Sequence, residues 1–259
     1  MFIDSHCHLD RLDLAPFNAE FALFMREAEK QEVRHLLCVG IDLESYAGMR
    51  RLVDGYDNVS VSVGVHPNEH VPEEPTVEKL VSLARDSKVV AVGETGLDYY
   101  RSSGSLDWQR ERFRQHIRAA RLVGKPLIIH SREARNDTIE LLIEERADEV
   151  GGVFHCFTED WETARRVLDL GFYISFSGIV TFRSAQSIQE VAKKIPEDRF
   201  LIETDSPYLA PVPFRGKPNY PYLVRYVAQC IAGLRGVSLE RVAELSSDNF
   251  YRLFAGARA

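Results

Sequence analysis

This 259-residue chain lacks several features that mark specialised classes of protein. No run of apolar residues approaches the roughly eighteen needed to cross a bilayer, so we expect no membrane association. The N-terminus shows no basic and apolar segments of the kind found in secretion signals. The four cysteines lie far apart and form no CxxC pair, which favours reduced thiols over a disulfide framework. These features predict a cytoplasmic protein.

An excess of basic residues is also missing, since the formal net charge is −7. Proteins that hold duplex DNA by counterion release usually present a broad basic face. A polyanionic substrate would therefore have to be attracted locally, by bound cations or by a small cluster of arginines. The one basic stretch, residues 110–125, reads as a helix whose basic face is solvated. Nothing in the sequence indicates an obligate protein partner.

Short β-rich segments alternate with helical segments along the whole chain. The predicted strands are residues 2–6, 35–41, 59–66, 89–94, 126–130, 152–156, 171–178 and 199–205. The amphipathic helix patterns between and after them include residues 17–31, 43–56, 77–87, 108–123, 161–170, 220–234 and 239–254. Strict alternation predicts parallel strands joined by right-handed crossovers.

Eight strand–helix units in this length are typical of a (β/α)8 TIM barrel, which we predict as a single domain spanning residues 1–259. A doubly wound open sheet is the alternative, but it requires a glycine-rich phosphate turn after an early strand. The sequence contains no such turn. A barrel is therefore the better interpretation.

A polar residue marks the end of each predicted strand. These residues are His8, Asp42, His66, Glu94, His130, His155, Ser177 and Asp205. Active sites of such barrels form at the C-terminal ends of the strands, so these side chains should converge in space. Histidine and carboxylate side chains together favour divalent metals such as zinc, manganese or magnesium. The sequence therefore predicts a metal site at this end of the barrel.

The first of two predicted ions involves the first and last strands. His6 and His8 are two residues apart, so their side chains share a face of the strand and can bind one ion. Asp205 follows the eighth strand, which lies beside the first in a closed barrel. It is expected either to complete the shell of this ion or to take a proton from a bridging water.

The second predicted ion involves the fourth, fifth and sixth strands. Glu94 ends a buried strand, where a carboxylate is costly unless it is paired or coordinated, and its two oxygens can bridge two ions. His130 and His155 lie on adjacent strands and are expected to bind the second ion. An isolated histidine at a strand end is often structural, but six such residues in one barrel are improbable as independent accidents.

Several motifs resemble those of one known family. The segments are "DSHCHLD", "VGVHP", "VGETGLDYY", "LIIHSR", "FHCF" and "IETDSPYLAP…RGKPNYP". They resemble, in order from residue 3 to about residue 221, the motifs of the TatD family of metal-dependent hydrolases, within the amidohydrolase-like superfamily. One departure is visible, because Thr158, Glu159 and Asp160 follow "FHCF" where the family often has Ser-Gly. This departure puts the substrate preference in doubt, not the metal ligands.

The resemblance implies a deoxyribonuclease that hydrolyses phosphodiester bonds at DNA ends. It implies the same six metal ligands that the strand ends indicate, namely His6, His8, Glu94, His130, His155 and Asp205. Two cations lower the pKa of a shared water molecule and stabilise charge on the attacking and leaving oxygens. Glu94 and Asp205 are the expected catalytic residues, with Asp205 as general base.

Neighbouring residues have predicted supporting roles. Glu203 and Asp4 each lie two residues before a predicted ligand and are expected to orient an imidazole, with a buried salt bridge as the alternative. The predicted substrate contacts are His66, the pair Tyr99 and Tyr100, and the loop residues Arg215, Lys217 and Asn219. The tyrosines would stack on a base and the loop would hold phosphate, whereas their structural alternatives are packing and a rigid loop.

Three other functions remain open from the sequence. The acidic net charge keeps small phosphorylated metabolites possible as substrates in place of DNA. An amidohydrolase acting on a small amide or lactone would use a similar set of histidines, often with a modified lysine as bridge, but no lysine ends a predicted strand. A barrel without catalytic activity would predict missing ligands or a broad basic face, and neither is seen.

Overall fold

A computed structural model describes residues 1–257, and within them eight parallel strands form one sheet in chain order. The strands are β1 (Phe2–Cys7), β2 (Val33–Cys38), β3 (Val59–Val63), β4 (Val89–Asp98), β5 (Leu127–Arg132), β6 (Gly152–Phe154), β7 (Tyr173–Phe176) and β8 (Phe200–Ile202). The residues after β8 return to β1, because the N–H of Asp205 donates to the carbonyl of His6 at 2.9 Å and the N–H of His8 to that of Ser206 at 2.8 Å. The predicted TIM barrel is confirmed.

Helices follow the strands around the outside of this barrel. Those in residues 1–257 are α1 (Phe21–Lys30), α2 (Tyr46–Leu52), α3 (Val77–Ala84), α4 (Asp107–Val123), α5 (Arg135–Glu144), α6 (Trp161–Asp169), α7 (Gln186–Lys194), α8 (Val224–Arg235) and α9 (Leu239–Leu253). The prediction that the first helix begins at residue 17 is wrong. Asn18 and Ala19 have φ angles of 55° and 59°, outside the helical region, and the regular helix begins after them.

The fourth strand differs from its prediction in a way that matters for the site. Glu94 does not end β4, because the strand continues to Asp98. Its register with β5 shifts between Val92 and Thr95, because β4 advances by one residue more than β5 there, so one extra residue bulges out of the ladder. Gly93 occupies this bulge with φ 143°, a conformation that residues with a side chain rarely adopt. The bulge therefore sets the direction of Glu94. His130 likewise lies within β5, which ends at Arg132.

Two apolar layers stabilise the barrel. The larger lies between the sheet and the helices, and the smaller fills the barrel interior with side chains such as Leu37, Ile128 and Leu201. Phe250 of α9 and Phe254, directly after this helix, pack into this interior layer and are fully buried. Helix α9 covers one end of the barrel. The other end, where the loops follow the strands, is open.

The sequence predicts no membrane-spanning segment and no disulfide framework. None of the helices in residues 1–257 is both long and apolar enough to cross a lipid bilayer. All four cysteines are free thiols, two of them buried and two partly buried. The expected absence of a disulfide framework is thus matched by the structure.

Candidate metal centre

Glu94 lies at the middle of a cluster of histidines at the open end of the barrel. Its Oε2 is 3.4 Å from Nε2 of His6 and 3.9 Å from Nε2 of His8. Its Oε1 is 3.2 Å from Nδ1 of His130 and 2.8 Å from Nε2 of His155. The two oxygens of one buried carboxylate therefore face two different groups of imidazoles.

Asp205 completes the group on the β1 side. Its Oδ1 is 3.4 Å from Nε2 of His8 and 3.6 Å from Nε2 of His6. One ligand atom from each of these three residues lies within 4.8 Å of the others, which is compatible with one bound cation. Asp205 has φ 55°, and its N–H bond to the carbonyl of His6 holds it in this conformation.

His66, predicted as a substrate contact, lies within reach of a second cation position. Its Nε2 is 3.4 Å from Oε1 of Glu94, and it forms a potential ligand group with Glu94 and His130. His66 follows β3, and its ring lies 4.5 Å from that of His130 between centroids. The geometry thus makes His66 a candidate ligand as well as a candidate substrate contact.

Glu203 lies behind His155, on the side away from Glu94. Its Oε1 accepts a hydrogen bond from the N–H of Cys156 at 2.7 Å and lies 3.3 Å from Nδ1 of His155. A carboxylate in this position fixes the ring of an imidazole and leaves its other nitrogen for a metal. The predicted orienting role of Glu203 is compatible with this geometry.

Asp98 has the same relation to His130, and the sequence reasoning missed it. Its Oδ2 is 3.0 Å from Nε2 of His130 and accepts a hydrogen bond from Nδ2 of Asn68 at 2.8 Å. Asp98 lies four residues beyond Glu94 on β4, inside the "VGETGLDYY" motif. The motif was a signal for Asp98. Because the fourth strand was predicted to end at residue 94, Asp98 was not expected to face the site.

Asp4 does not contact an imidazole. Its Oδ1 accepts hydrogen bonds from the N–H groups of Thr204, at 2.9 Å, and His6, at 3.3 Å, and its Oδ2 accepts from the hydroxyl of Thr204. These bonds join the chain after β8 to β1. The geometry therefore supports a role for Asp4 in closing the barrel, in contrast to the predicted orientation of a histidine ring.

The residues present fit divalent cations. Buried polar atoms in proteins usually have hydrogen-bond partners. Among the residues that the structure describes, both ring nitrogens of His6 and Oε2 of Glu203 are buried without one. Imidazole nitrogens and carboxylate oxygens are the donors that zinc and manganese bind. Atoms of this kind, left without partners around Glu94, are what a cation site requires.

The ionised carboxylates of this cluster also suit cations. Burial would raise the pKa of Glu94, but the imidazoles of His155 and His66 outweigh it and hold this pKa well below its usual value. Burial lowers the pKa of His66 to about 3. Burial likewise opposes ionisation of Asp205, yet His8, His6 and the other imidazoles lower its pKa. Burial would lower the pKa values of His155, His130 and His8, but the neighbouring carboxylates outweigh it and raise them. Metal binding requires neutral imidazole, so it would release protons from these rings.

The cluster lines a cavity of about 530 Å³ that opens at the mouth of the barrel. Arg11, Arg101, Arg132 and Tyr208 also line it, and the sequence reasoning assigned them no role. These residues follow β1, β4 and β8 or end β5, so their places in the loops depend on tertiary structure. They extend the site beyond the predicted ligands.

Five predicted substrate contacts do not line this cavity. Tyr100 is one of them, and its ring stacks on the guanidinium of Arg132. Tyr99 lies on a second cavity, where its hydroxyl donates to Asp137 at 2.6 Å. Arg215 stacks on the ring of Phe182 at 3.9 Å. Lys217 is exposed in the same loop.

Asn219 is the last of these residues, and its side chain is fully buried. Its amide Nδ2 donates to the carbonyls of Thr204, at 2.9 Å, and Tyr208. These two bonds join the loop to the chain after β8, so the amide donors of Asn219 are already used within the protein.

A barrel with histidines and carboxylates clustered at the C-terminal ends of its strands is compatible with the class of metal-dependent hydrolases. Comparison with known proteins narrows this class, because the family model described as TatD related DNase matches residues 3–255. The chain belongs to the TatD family of metal-dependent hydrolases.

Individual relatives agree with this assignment. The chain is 51% identical over 253 residues to the uncharacterized metal-dependent hydrolase YcfH of Escherichia coli K12, covering 97% of this chain and 95% of that protein. It is 39% identical to YabD of Bacillus subtilis, an uncharacterized metal-dependent hydrolase, covering 98% and 99% of the two chains. The crystal structure of YJJV, a TatD homolog from Escherichia coli K12, superposes with a TM-score of 0.89 at 28% identity, covering 98% of each chain.

Proposed function

We propose that this protein removes nucleotides from DNA ends by hydrolysing phosphodiester bonds, and that two divalent cations take part. The observation that carries the proposal is the position of Glu94, whose two oxygens face two groups of imidazoles. A carboxylate placed in this way suits a pair of cations, and paired cations are typical of enzymes that hydrolyse phosphate esters. The description of the matching family as a DNase supports DNA as the substrate.

We assign the cations to the ligands that surround Glu94. His6, His8 and Asp205 would hold one cation, His130 and His155 would hold the other, and Glu94 would contribute an oxygen to each. When bound, such cations polarise a phosphate ester and lower the pKa of a water molecule. The donor set is rich in imidazole, which favours zinc or manganese over magnesium.

The chain supplies a base and holds the imidazoles in place. Asp205 lies at the cavity with its side chain 14% exposed, so its carboxylate can accept a proton from an attacking water molecule. Glu203 and Asp98 each face the outer nitrogen of one imidazole and keep that ring from turning. These two carboxylates act by positioning other residues.

The proposal is tested by assaying protein reconstituted with zinc, manganese or magnesium on several substrates in parallel. These are end-labelled single-stranded DNA, duplex DNA, a panel of phosphomonoesters, a lactone and an amide. We expect metal-dependent release of nucleotides from a DNA end. Turnover of only the phosphomonoesters would assign small phosphorylated metabolites, and turnover of only the lactone or amide would assign an amidohydrolase; either result overturns the proposal.

The bridging role of Glu94 has its own test. Replacing Glu94→Gln should lower the number of bound cations and reduce kcat/KM for DNA by more than about 100-fold, because an amide offers one weak donor oxygen in place of two charged ones. Bound metal is counted by elemental analysis after gel filtration. The control is Glu190→Gln on the exposed surface of α7, which keeps wild-type metal content and rate. Wild-type values in Glu94→Gln would contradict the assignment.

A further inference from the structure

Two arginines at the mouth of the metal-centre cavity have no acidic partner among residues 1–257. Arg101 and Arg132 both line this cavity, and neither guanidinium has a carboxylate within ion-pair distance. On helix α4, by contrast, arginines such as Arg110, Arg118 and Arg121 pair with carboxylates at 2.7 Å. Cations left unpaired beside a concave site in an acidic protein are available to an anionic ligand.

Both arginines lie close to the metal centre because of how β4 and β5 end. Arg132 is two residues beyond His130 on β5, so its side chain leaves the strand on the same face, about 6.6 Å further along. Arg101 lies in the turn after β4. The N–H groups of Tyr100 and Arg101 both donate to Oδ1 of Asp98 at 3.0 Å, while Oδ2 of Asp98 contacts His130. One carboxylate thus connects the arginine-bearing turn to a metal-ligand candidate.

Tyr100 holds the guanidinium of Arg132 in a defined plane. The centre of that guanidinium lies 3.9 Å from the centroid of the tyrosine ring, and the tyrosine itself is 58% exposed. Stacking on a ring uses the face of a guanidinium and leaves the N–H donors at its edge available. Those donors match the oxygens of a phosphate, which a guanidinium binds in a bidentate manner.

We propose that Arg101 and Arg132 form an anion subsite for a second phosphate of the substrate, adjacent to the phosphodiester that is hydrolysed. The inference rests on the proposed function for the location of the reacting bond. Because Arg132 lies further along β5 than His130 on the same face, a phosphate bound there would lie beside the reacting phosphodiester and not at the metal centre itself. The second phosphate belongs either to the next nucleotide of a DNA strand or to a small bisphosphorylated molecule.

The first arm of the test measures turnover by the metal-loaded protein. The substrates are the dinucleotide dTdT, which has one phosphate, and the trinucleotide dTdTdT, which has two. Wild type should prefer the trinucleotide in kcat/KM, and the double variant Arg101→Gln/Arg132→Gln should reduce this preference by about tenfold or more. Arg165→Gln removes the same charge from the exposed surface of α6 and serves as the control, which retains the preference.

The second arm measures binding without relying on phosphodiester hydrolysis. Thymidine 3′,5′-bisphosphate and thymidine 3′-monophosphate are titrated calorimetrically into the metal-loaded protein. Wild type should bind the bisphosphate about tenfold more tightly than the monophosphate, and the double variant should bind the two nearly equally. A bisphosphate preference without a trinucleotide preference assigns the subsite to small molecules, whereas both preferences together assign it to DNA.

The two arms separate failure of this inference from failure of the proposed function. If no phosphodiester is hydrolysed but the bisphosphate preference exists and depends on the two arginines, the subsite stands and the nuclease assignment falls. If phosphodiesters are hydrolysed and the double variant keeps both preferences, the subsite is overturned. Equal binding of the two thymidine phosphates to wild type, with no trinucleotide preference, also overturns it. Equal thermal unfolding midpoints for variant and wild type exclude misfolding, and each single variant should lose part of the preference.

Discussion

Glu203 and Asp4 are buried carboxylates, each placed two residues before a candidate metal ligand, yet they have different partners. Glu203 faces the ring of His155, while Asp4 binds the backbone and hydroxyl of Thr204. The spacing in the sequence is the same, and within a regular strand it would predict that the two side chains share one face. Glu203 and Asp205 lie beyond the end of β8, however, and Asp205 has φ 55°. Which group each carboxylate meets depends on the neighbouring strand, and that neighbour is known only from the closed barrel.

This difference gives a matched pair of substitutions. Glu203→Gln should weaken metal binding by about 10–100-fold, because the charge that orients His155 is lost. Asp4→Asn should change metal affinity by less than about threefold, since Asp4 contacts no imidazole. Calorimetric titration of metal into the two variants measures both. Equal losses of affinity in the two variants would contradict the distinct roles.

His116 provides a pH prediction at the residue scale. Its Nε2 accepts the N–H of Val65 at 2.9 Å, its Nδ1 donates to the carbonyl of Arg112 at 2.8 Å, and burial lowers its pKa to about 4. In the unfolded chain a histidine has a pKa of about 6.5, so the unfolded state gains a proton first as the pH falls. Stability linked to His116 is therefore complete above about pH 6.5 and is lost as the pH falls towards 4.

The measurement is urea unfolding of wild type and His116→Gln at pH 7 and pH 5. Glutamine can still accept the Val65 bond but does not titrate. From pH 7 to pH 5 the free energy of unfolding of wild type should fall by about 2 kcal/mol more than that of the variant. An equal fall in both proteins would show that His116 is not held neutral by the fold.

At the scale of elements, a residue of helix α4 holds the loop that carries His66. Arg112 is 3% exposed, and its Nη1 donates to the carbonyls of His66 and Glu69 at 2.9 Å. Its Nε and Nη2 donate to the carboxylate of Glu74 at 2.7 and 2.6 Å. The ring of Trp108 lies 4.9 Å from the guanidinium. One guanidinium thus fixes both ends of the loop between β3 and α3.

Replacing Arg112→Lys should loosen this loop, because an ammonium cannot make all four planar bonds at once. We expect faster amide hydrogen exchange in residues 66–74, a stability loss of about 2–4 kcal/mol and a lower kcat/KM. Arg114→Lys is the control on the same helix, where the arginine pairs with exposed Glu144. Unchanged exchange in residues 66–74 of Arg112→Lys would contradict this role of the arginine.

The sequence predicted that Glu94 lies at the site, but it did not predict the bulge in β4 or the continuation of this strand to Asp98. The apolar run before Glu94 predicts a buried strand, but the glycines within "VGETGLD" permit the chain to bulge and continue. At Gly64, directly after β3, an added Cβ would lie 2.6 Å from the Cα of Gly93, so the backbones approach closely there. The local sequence of β4 does not predict this contact, because the contact also depends on the neighbouring segment after β3.

At the scale of the whole molecule, an acidic protein is proposed to act on a polyanion. The charge of −7 is offset near the site only by a few arginines and by the proposed cations. Contacts to single-stranded DNA should therefore be few and local. The surface beyond the cavity is expected to repel the remainder of a long strand.

The salt dependence of activity tests this charge distribution. If Arg101 and Arg132 make the phosphate contacts, the logarithm of kcat/KM for single-stranded DNA should fall with the logarithm of salt concentration with a slope of about −1.4. The double variant Arg101→Gln/Arg132→Gln should show a slope near zero. A wild-type slope steeper than about −4 would indicate a broad basic surface and contradict this distribution.

The sequence by itself determined the barrel and the residue types of the metal centre. Alternating patterns report burial along each element, and eight repeats of one strand–helix unit lead to a closed parallel sheet. Polar residues directly after buried strands marked His8, His155 and Asp205, because the ends of parallel strands meet in space. The prediction of one domain over residues 1–259 and the precise roles of the site residues stay predictions.

Only the tertiary structure decided which side chains meet across the mouth of the barrel. It placed Asp98 behind His130, brought Arg101 and Arg132 to the cavity and used the amide of Asn219 within the protein. These contacts join residues on different strands and loops, whose approach depends on bulges, turns and closure of the sheet. Periodicity along one segment records burial and direction, but not the partner that another segment provides.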